Sequence, residues 1–393
     1  MKPNPGGHLA LEEIIGRDEL ISEMWEILEG RSIYMNDLRR IGKSKIMEKM
    51  HGELPTGWRS AMGDLEGIKS REELARWFYK NSFSHLSLDK KSWKKVGEIM
   101  SALGGSEIGG VLKLPDGKKF PWKEIVERTF ADLNESCEKD GEKFVFFLDE
   151  IPYMLEEVYK IEGASAAIEI IDVIRGLAAH YNNIRFVLTG SVGLHHIISI
   201  LKKAGYNGPA LNNFSRITPG PLSNEYAQKL VKELIKGRGL KISEPIDDIA
   251  RELAQMTGGV AFYIHRLIDR TDRQIEYSIN DFNDLIEDEL TDADEDWDLQ
   301  HYYTRIGTTY YTGGGEKELA LAILDSLILS GKELSLKRLF EMVKKRGVDI
   351  DEEEARGTLK LLHKDHYINK SRTGEYSFRM ELVARWWKLE RDL

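Results

Sequence analysis

The segment Asp37-Leu-Arg-Arg-Ile-Gly42-Lys43-Ser44 matches the pattern G-x-x-x-x-G-K-[ST] at every position except the first. In such a loop, backbone N–H groups and the start of the following helix cradle phosphate, the lysine reaches the β- and γ-oxygens, and the hydroxyl binds Mg²⁺. Gly42, Lys43 and Ser44 are the residue types for these roles, and the backbone of Arg40, Ile41 and Lys45 completes the cradle. Asp37 replaces the glycine whose freedom opens the loop and adds a negative charge, so reduced nucleotide affinity or a different loop opening is expected. The competing reading of RRIGKSK is a solvated basic turn.

A second feature raises the weight of the first. Phe144-Val-Phe-Phe-Leu-Asp149-Glu150 is an apolar run ending in two carboxylates. Asp149 is the residue expected to hold Mg²⁺, directly or through water, and Glu150 the one expected to orient and deprotonate an attacking water. A third apolar run, Ile184 to Leu188, ends at Thr189-Gly190-Ser191. Parallel strands gather their C-terminal ends at a ligand crevice, so a hydroxyl there is placed to read a γ-phosphate. Ser191 is preferred over Thr189 for this role, with helix capping as the alternative. Arg216, in Asn213-Phe-Ser-Arg216, is a candidate arginine finger acting across a subunit boundary.

These residues need an α/β scaffold, and the periodicity supplies one. A helix over 17–29 precedes a buried strand at 32–35, the loop, and a helix from Lys45 to Met50. Strand 58–65 is followed by helix 70–83 with Ser70 as its N-cap. The Gly-rich stretch 101–122 reads as a hairpin or surface loop. The runs ending at Leu148 and Leu188 read as central parallel strands, with a one-faced helix from Ala164 to His180 between them and a fifth strand near Phe214 to Ile217. After Pro219 the strand signals stop and four helices follow, at 223–236, 245–256, 260–269 and 279–290. Residues 291–316 read as a linker. Beyond it, helices at 319–329, 335–346 and 352–363 precede a hairpin of 368–370 with 376–378, which is the winged helix-turn-helix pattern.

Several segments occur in the order of a known family: Ile15-Gly-Arg-Asp-Glu-Leu20, Leu38-Arg-Arg-Ile-Gly-Lys-Ser44, Leu148-Asp-Glu150, Thr189-Gly-Ser191, Pro221-Leu-Ser223 and Thr257-Gly-Gly-Val260. On these motifs the chain resembles the archaeal/prokaryotic ATPase family of the STAND branch of AAA+ P-loop ATPases, related to origin-recognition ATPases. The resemblance spans about residues 10 to 290 and suits the C-terminal winged helix. It implies an ATPase core over 1–220, a helical lid over 221–290, the linker, and a winged-helix domain over 317–393. It also implies that Ile15 and Arg17 lie beside the adenine and that the lid glycine pair, here Gly258-Gly259, approaches the base. Ala261 stands where family members usually carry proline. ATP and Mg²⁺ are the expected cofactors, and slow hydrolysis of the sort a switch uses is the expected activity. The alternative is a nucleotide-bound or weakly active scaffold whose winged helix docks a protein.

Composition bounds the remaining possibilities. The 393 residues carry a net charge of −10, which excludes a constitutive histone-like polyanion binder. One cysteine, Cys137, excludes an internal disulfide and a cysteine-cluster zinc site, and fits a reducing cytoplasm. No long unbroken apolar run occurs, so no membrane span is expected. From Glu316 onward, 16 Lys and Arg face 15 Asp and Glu, which permits duplex DNA binding. Lys360, Lys364, Lys370 and Arg372 are the DNA candidates, although Asp351-Glu-Glu-Glu354 at the start of the presumptive recognition helix repels phosphate. A homo-oligomer or an effector protein is the other expected partner. Neither His195-His196 nor His363 with His366 is read as having a nearby third ligand of suitable type, so no metal beyond Mg²⁺ is expected. Eight carboxylates between Glu287 and Asp298 read as a solvated linker, or as a device that holds the basic C-terminal face inactive.

Overall fold

A computed structural model describes residues 1–86, 106–108, 111–113, 120–190, 193–292, 296–307, 314–348 and 351–393. The chain divides into two compact units: Asp18–Asn36 with Lys43–Pro219, and Met1–Arg17 with Asp37–Gly42 and Gly220–Leu393. The phosphate-loop segment thus packs with the second unit, while the helix it leads into belongs to the first.

The first unit is a sheet covered on both faces. Its elements are α1 (Asp18–Leu28), β1 (Ile33–Met35), α2 (Lys43–Gly52), β2 (Trp58–Asp64), α3 (Arg71–Ser82), the antiparallel pair β3 (Ser106–Ile108) and β4 (Val111–Lys113), and α4 (Trp122–Asp140). They continue with β5 (Lys143–Asp149), α5 (Ile151–Glu162), α6 (Ala164–His180), β6 (Ile184–Thr189), α7 (Leu194–Lys203) and β7 (Ser215–Ile217). Five strands pair in parallel in the order β2-β5-β6-β1-β7. Successive side chains of a strand point to opposite faces, so a strand that is apolar throughout feeds two cores. In β5, Phe144, Phe146 and Leu148 join the aromatic core beneath α3 to α7, whereas Val145 and Phe147 join Met24, Leu28, Ile46, Met47 and Met50 of α1 and α2. Phe130, Phe146 and Phe186 stack at centroid separations of 5.1 and 5.7 Å across the first core. The Ser70 hydroxyl accepts from the Glu73 N–H, the cap that its position predicts.

The second unit contains α8 (Asn224–Arg238), β8 (Lys241–Ile242), α9 (Ile246–Met256), α10 (Ala261–Asp269), β9 (Glu276–Tyr277), α11 (Ile279–Thr291) and α12 (Gln300–Arg305). It ends with α13 (Gly314–Ser330), β10 (Leu334–Ser335), α14 (Leu336–Lys345), α15 (Glu352–Lys364), β11 (Ile368–Lys370), β12 (Glu375–Phe378) and α16 (Glu381–Glu390). Two details differ from the periodicity. A short parallel pair, β8 with β9, interrupts the helices that follow Pro219, too brief for an alternation signal to register. Residues 296–307 are not a solvated connector: Trp297, Leu299, Tyr302 and Ile306 are all buried, and α12 runs through them. The Gly and acid content that suggests a linker surrounds these apolar anchors and masks them. The C-terminal hairpin β11–β12 gains a third strand, β10. Asp325 of α13, 1% exposed, accepts from Trp387 Nε1 at 2.9 Å and pairs with Arg346 and Arg391, which ties α16 to α13.

Candidate functional site

Within the first unit, β5 delivers Asp149 to the end of the sheet, where the carboxylate is 8% exposed. Three donors converge on it. Ser44 Oγ donates to Oδ2 at 2.5 Å, Thr189 Oγ1 donates to Oδ1 at 3.3 Å, and the Glu150 N–H donates to Oδ1 at 3.0 Å. A hydroxyl at the first turn of α2 and a carboxylate at a strand end, 105 residues apart in sequence, therefore meet directly. Lys43 begins α2 and is buried. Glu150 adopts a left-handed conformation (φ 56°) as the N-cap of α5, half-buried beside Asp149. That conformation is uncommon for a residue with a Cβ and turns the chain sharply at the strand end.

The hydroxyl of β6 that reaches this cluster is Thr189, fully buried. Ser191, the residue preferred from sequence, lies outside the described residues. Lys45 is turned to its own helix, with Nζ 2.7 Å from Glu48. Arg216 is exposed on β7, the edge strand of the sheet.

The loop residues 37–42, in the second unit, have partners of a different kind. Asp37 is wholly buried. Its Oδ1 accepts from the Leu38 N–H at 2.8 Å and from Arg379 Nη2 at 2.8 Å, and its Oδ2 accepts from the Gly220 N–H at 2.6 Å. The expected penalty at this position does not take the form of a strained backbone, because the left-handed residues of the loop are Arg40 (φ 64°) and Gly42 (φ 99°). Arg39 and Arg40 both reach Asp298 Oδ2, at 2.8 and 2.9 Å, and the Arg40 guanidinium lies 4.6 Å from the ring centroid of Phe262 in α10. Ile41 is buried, and its carbonyl accepts from Arg17 Nη2 at 3.0 Å. A Cβ at Gly42 would meet open space.

Arg17 also donates to the Gly220 carbonyl at 3.0 Å. Burial lowers its guanidinium pKa, and the charge of Asp37 acts against that. Its side chain is taken up in holding two backbone carbonyls, while Ile15 beside it is half-buried. Gly16 (φ 70°) and Gly259 (φ 68°) are packing glycines: a Cβ would sit 2.7 Å from Tyr226 in the first case and 2.9 Å from the Leu222 carbonyl in the second. Ala261 is the first residue of α10, the position at which proline is well tolerated, so alanine keeps the same helix start.

Among its described residues, the acidic run carries several paired carboxylates. Glu289 is buried against Arg270, Glu287 pairs with Arg385 of α16, and Asp298 holds the two loop arginines. On the C-terminal elements, Lys360 and Lys364 lie on the outer side of α15, and Lys370 and Arg372 on or next to β11, all four exposed. Among the described residues no helix is long and apolar enough to cross a membrane.

No protein-family model and no curated protein matches the sequence. Likeness is found at the level of solved structures. The Walker-type ATPase PABY2304 of Pyrococcus abyssi aligns over 96% of this chain and 97% of its own at 18% identity, with a TM-score of 0.63. The ORC2 protein of Aeropyrum pernix, in its ADPNP-ADP complexes, aligns over 97% and 96% at 10% identity, with a TM-score of 0.55. At these identities the likeness establishes the fold: an α/β, P-loop fold of the AAA+ kind, built on a parallel five-stranded core.

Proposed function

We propose that the chain is a Mg-ATP-binding, slowly hydrolysing ATPase of the STAND/AAA+ type, in which nucleotide state governs how a C-terminal winged helix engages DNA or a partner protein. The observation that carries this reading is the direct contact of Ser44 Oγ with Asp149 Oδ2 beside a buried Lys43 at a helix start. A hydroxyl and a carboxylate are both hard oxygen ligands of the type Mg²⁺ takes, and their proximity fits that ion. Mg²⁺ held by Ser44 and Asp149 would supply positive charge against the charge that develops on the phosphates. Lys43 and the N–H groups opening α2 bind the phosphates, and Ser44 and Asp149 hold the metal. Glu150 orients water and accepts its proton. Thr189 fixes the Asp149 carboxylate, and Arg216, exposed on an edge strand, is available to a second copy as an arginine finger. The ATPase and nucleotide complexes among the similar structures support this assignment by fold alone.

DNA engagement rests on exposed cations: Lys337, Arg338, Lys344 and Lys345 on α14, with Lys360, Lys364, Lys370 and Arg372 on α15 and the hairpin. The scaffold alternative draws on exposed Glu352, Glu353 and Glu354 at the start of α15, which disfavour phosphate there. Binding of a fluorescent ATP analogue and phosphate release, with and without duplex DNA, test both. Lys43→Ala is expected to abolish binding, and Glu150→Gln to retain binding while turnover falls about a hundredfold or more. Binding that survives Lys43→Ala would remove the phosphate-loop assignment.

A further inference from the structure

The residue that breaks the phosphate-loop pattern is the best-anchored side chain in the loop. Asp37 has no exposed side-chain surface, and its carboxylate meets two backbone N–H groups and the guanidinium of Arg379. Arg379 lies 342 residues further along the chain, between β12 and α16. It is itself fixed: its N–H donates to the Tyr367 carbonyl at 2.9 Å, and its Nη1 contacts His366 Nδ1. A second, independent tether holds the same loop, with Arg39 and Arg40 both on Asp298. Glycine, the residue usual at position 37, has no side chain to make such a link.

We propose that Arg379 is a positioning residue for nucleotide binding, which neutralises Asp37 and fixes the mouth of the phosphate loop from the C-terminal segment. The proposal rests on the phosphate-loop reading above. Its physical content is electrostatic. A buried carboxylate on a loop that wraps phosphates repels them unless a cation is held against it, and a buried charge without its partner interacts strongly with its surroundings. The pair is therefore asymmetric toward an anionic ligand. Removing Arg379 takes away the cation in contact with the carboxylate and makes the loop more negative, with Arg17 still acting on Asp37, whereas removing the anion makes the loop more positive.

The two single substitutions should then act in opposite directions. With Mg²⁺ and a fluorescent ATP analogue, Arg379→Gln is expected to raise Kd at least about tenfold, consistent with one unscreened charge at loop range. Asp37→Asn should leave Kd unchanged or lower it, and the double variant should return close to the parent value. Arg379→Lys keeps the charge and should recover most of the loss, which also covers failure of the glutamine variant to fold. Circular dichroism confirms the fold of each protein. Equal weakening by both single changes, or no change from either, would overturn the proposal, because a merely structural pair damages binding from either side. Lys43→Ala separates the two levels. Loss of binding there together with an unaffected Arg379→Gln overturns this inference alone, whereas binding retained in Lys43→Ala overturns the reading beneath it.

Discussion

The start of α2 and the loop that precedes it are adjacent in sequence, yet they are built on opposite principles. At the helix start, Ser44 meets Asp149 and Thr189 meets the same carboxylate, an array of hard oxygen donors suited to a cation. In residues 37–42 the polar groups are already matched by protein: Asp37 by Arg379 and the Gly220 N–H, Arg39 and Arg40 by Asp298, and the Ile41 carbonyl by Arg17. The first arrangement is arranged for chemistry, the second for attachment. A loop whose cations and anion are held by later parts of the chain takes its conformation from those parts, and its deviation from the usual pattern is then a gain of contacts.

The largest effect expected from this contrast is at Asp149. Asp149→Asn keeps one oxygen, which accepts from Ser44 or from Thr189 and not from both in their present positions, and it removes the charge that a cation needs. Turnover should fall about 10² to 10³-fold, while binding measured without Mg²⁺ and the thermal midpoint change little. Phosphate-release kinetics beside calorimetry decide it. Turnover within a few-fold of the parent would show that the strand-end carboxylate has no part in the reaction.

How much of this was legible beforehand follows from the same contrast. Lys43, Ser44, Asp149 and Glu150 stand out because their chemistry is local: a residue type at a fixed place after a strand or before a helix. The alternating α/β order was legible for a similar reason, since Phe144 to Leu148 of β5 is an unbroken apolar run, Ile184 to Leu188 of β6 is apolar except for Arg185, and Ser70 caps α3 as its neighbours imply. The partners of Asp37 were not legible, because pairing across 342 residues leaves no periodic or spacing signal. Thr189 ranked below Ser191 because strand-end hydroxyls look alike until a register places one against Asp149. Trp297 and Tyr302 were hidden inside an acidic, Gly-containing stretch whose average composition reads as solvated, although both rings are buried. In that last case a single pair of large aromatics outweighs the mean polarity of its neighbours, and aromatic spacing was the signal to follow.

Acidification should act on the loop's supports before it acts on the sheet. His265 of α10 is 4% exposed, its Nδ1 accepts from the Asn4 N–H at 3.1 Å, and burial pushes its pKa down to about 4, with Glu13 and Asp269 acting against the shift. A folded-state pKa below the unfolded value near 6.5 means the unfolded chain binds more protons between those limits. Stability is therefore complete above about pH 6.5 and falls as pH drops toward 4, by up to about 3 kcal/mol. Hydrogen exchange should show α10 amides losing protection between pH 6.5 and 4 while those of β5 keep theirs, and His265→Gln should flatten the dependence. Loss of protection in β5 at the same or higher pH would place the acid-sensitive element in the sheet.

The smallest effect expected is at Asp298, and it tests whether the second tether matters. Two arginines share one carboxylate that is 23% exposed, so each pair is partly screened and worth about 1 kcal/mol or less. Asp298→Asn frees two cations on the loop proposed to wrap phosphate, which favours an anion, but it also loosens Arg40, whose left-handed backbone needs outside support. These contributions oppose each other, so Kd for nucleotide should move by no more than about fivefold. Phe262 still covers the Arg40 guanidinium in this variant and limits its freedom. Removing both supports, as Asp298→Asn with Phe262→Ala, should therefore weaken binding by more than the product of the two single effects. A purely multiplicative result would mean that Asp298 and Phe262 act on the loop independently.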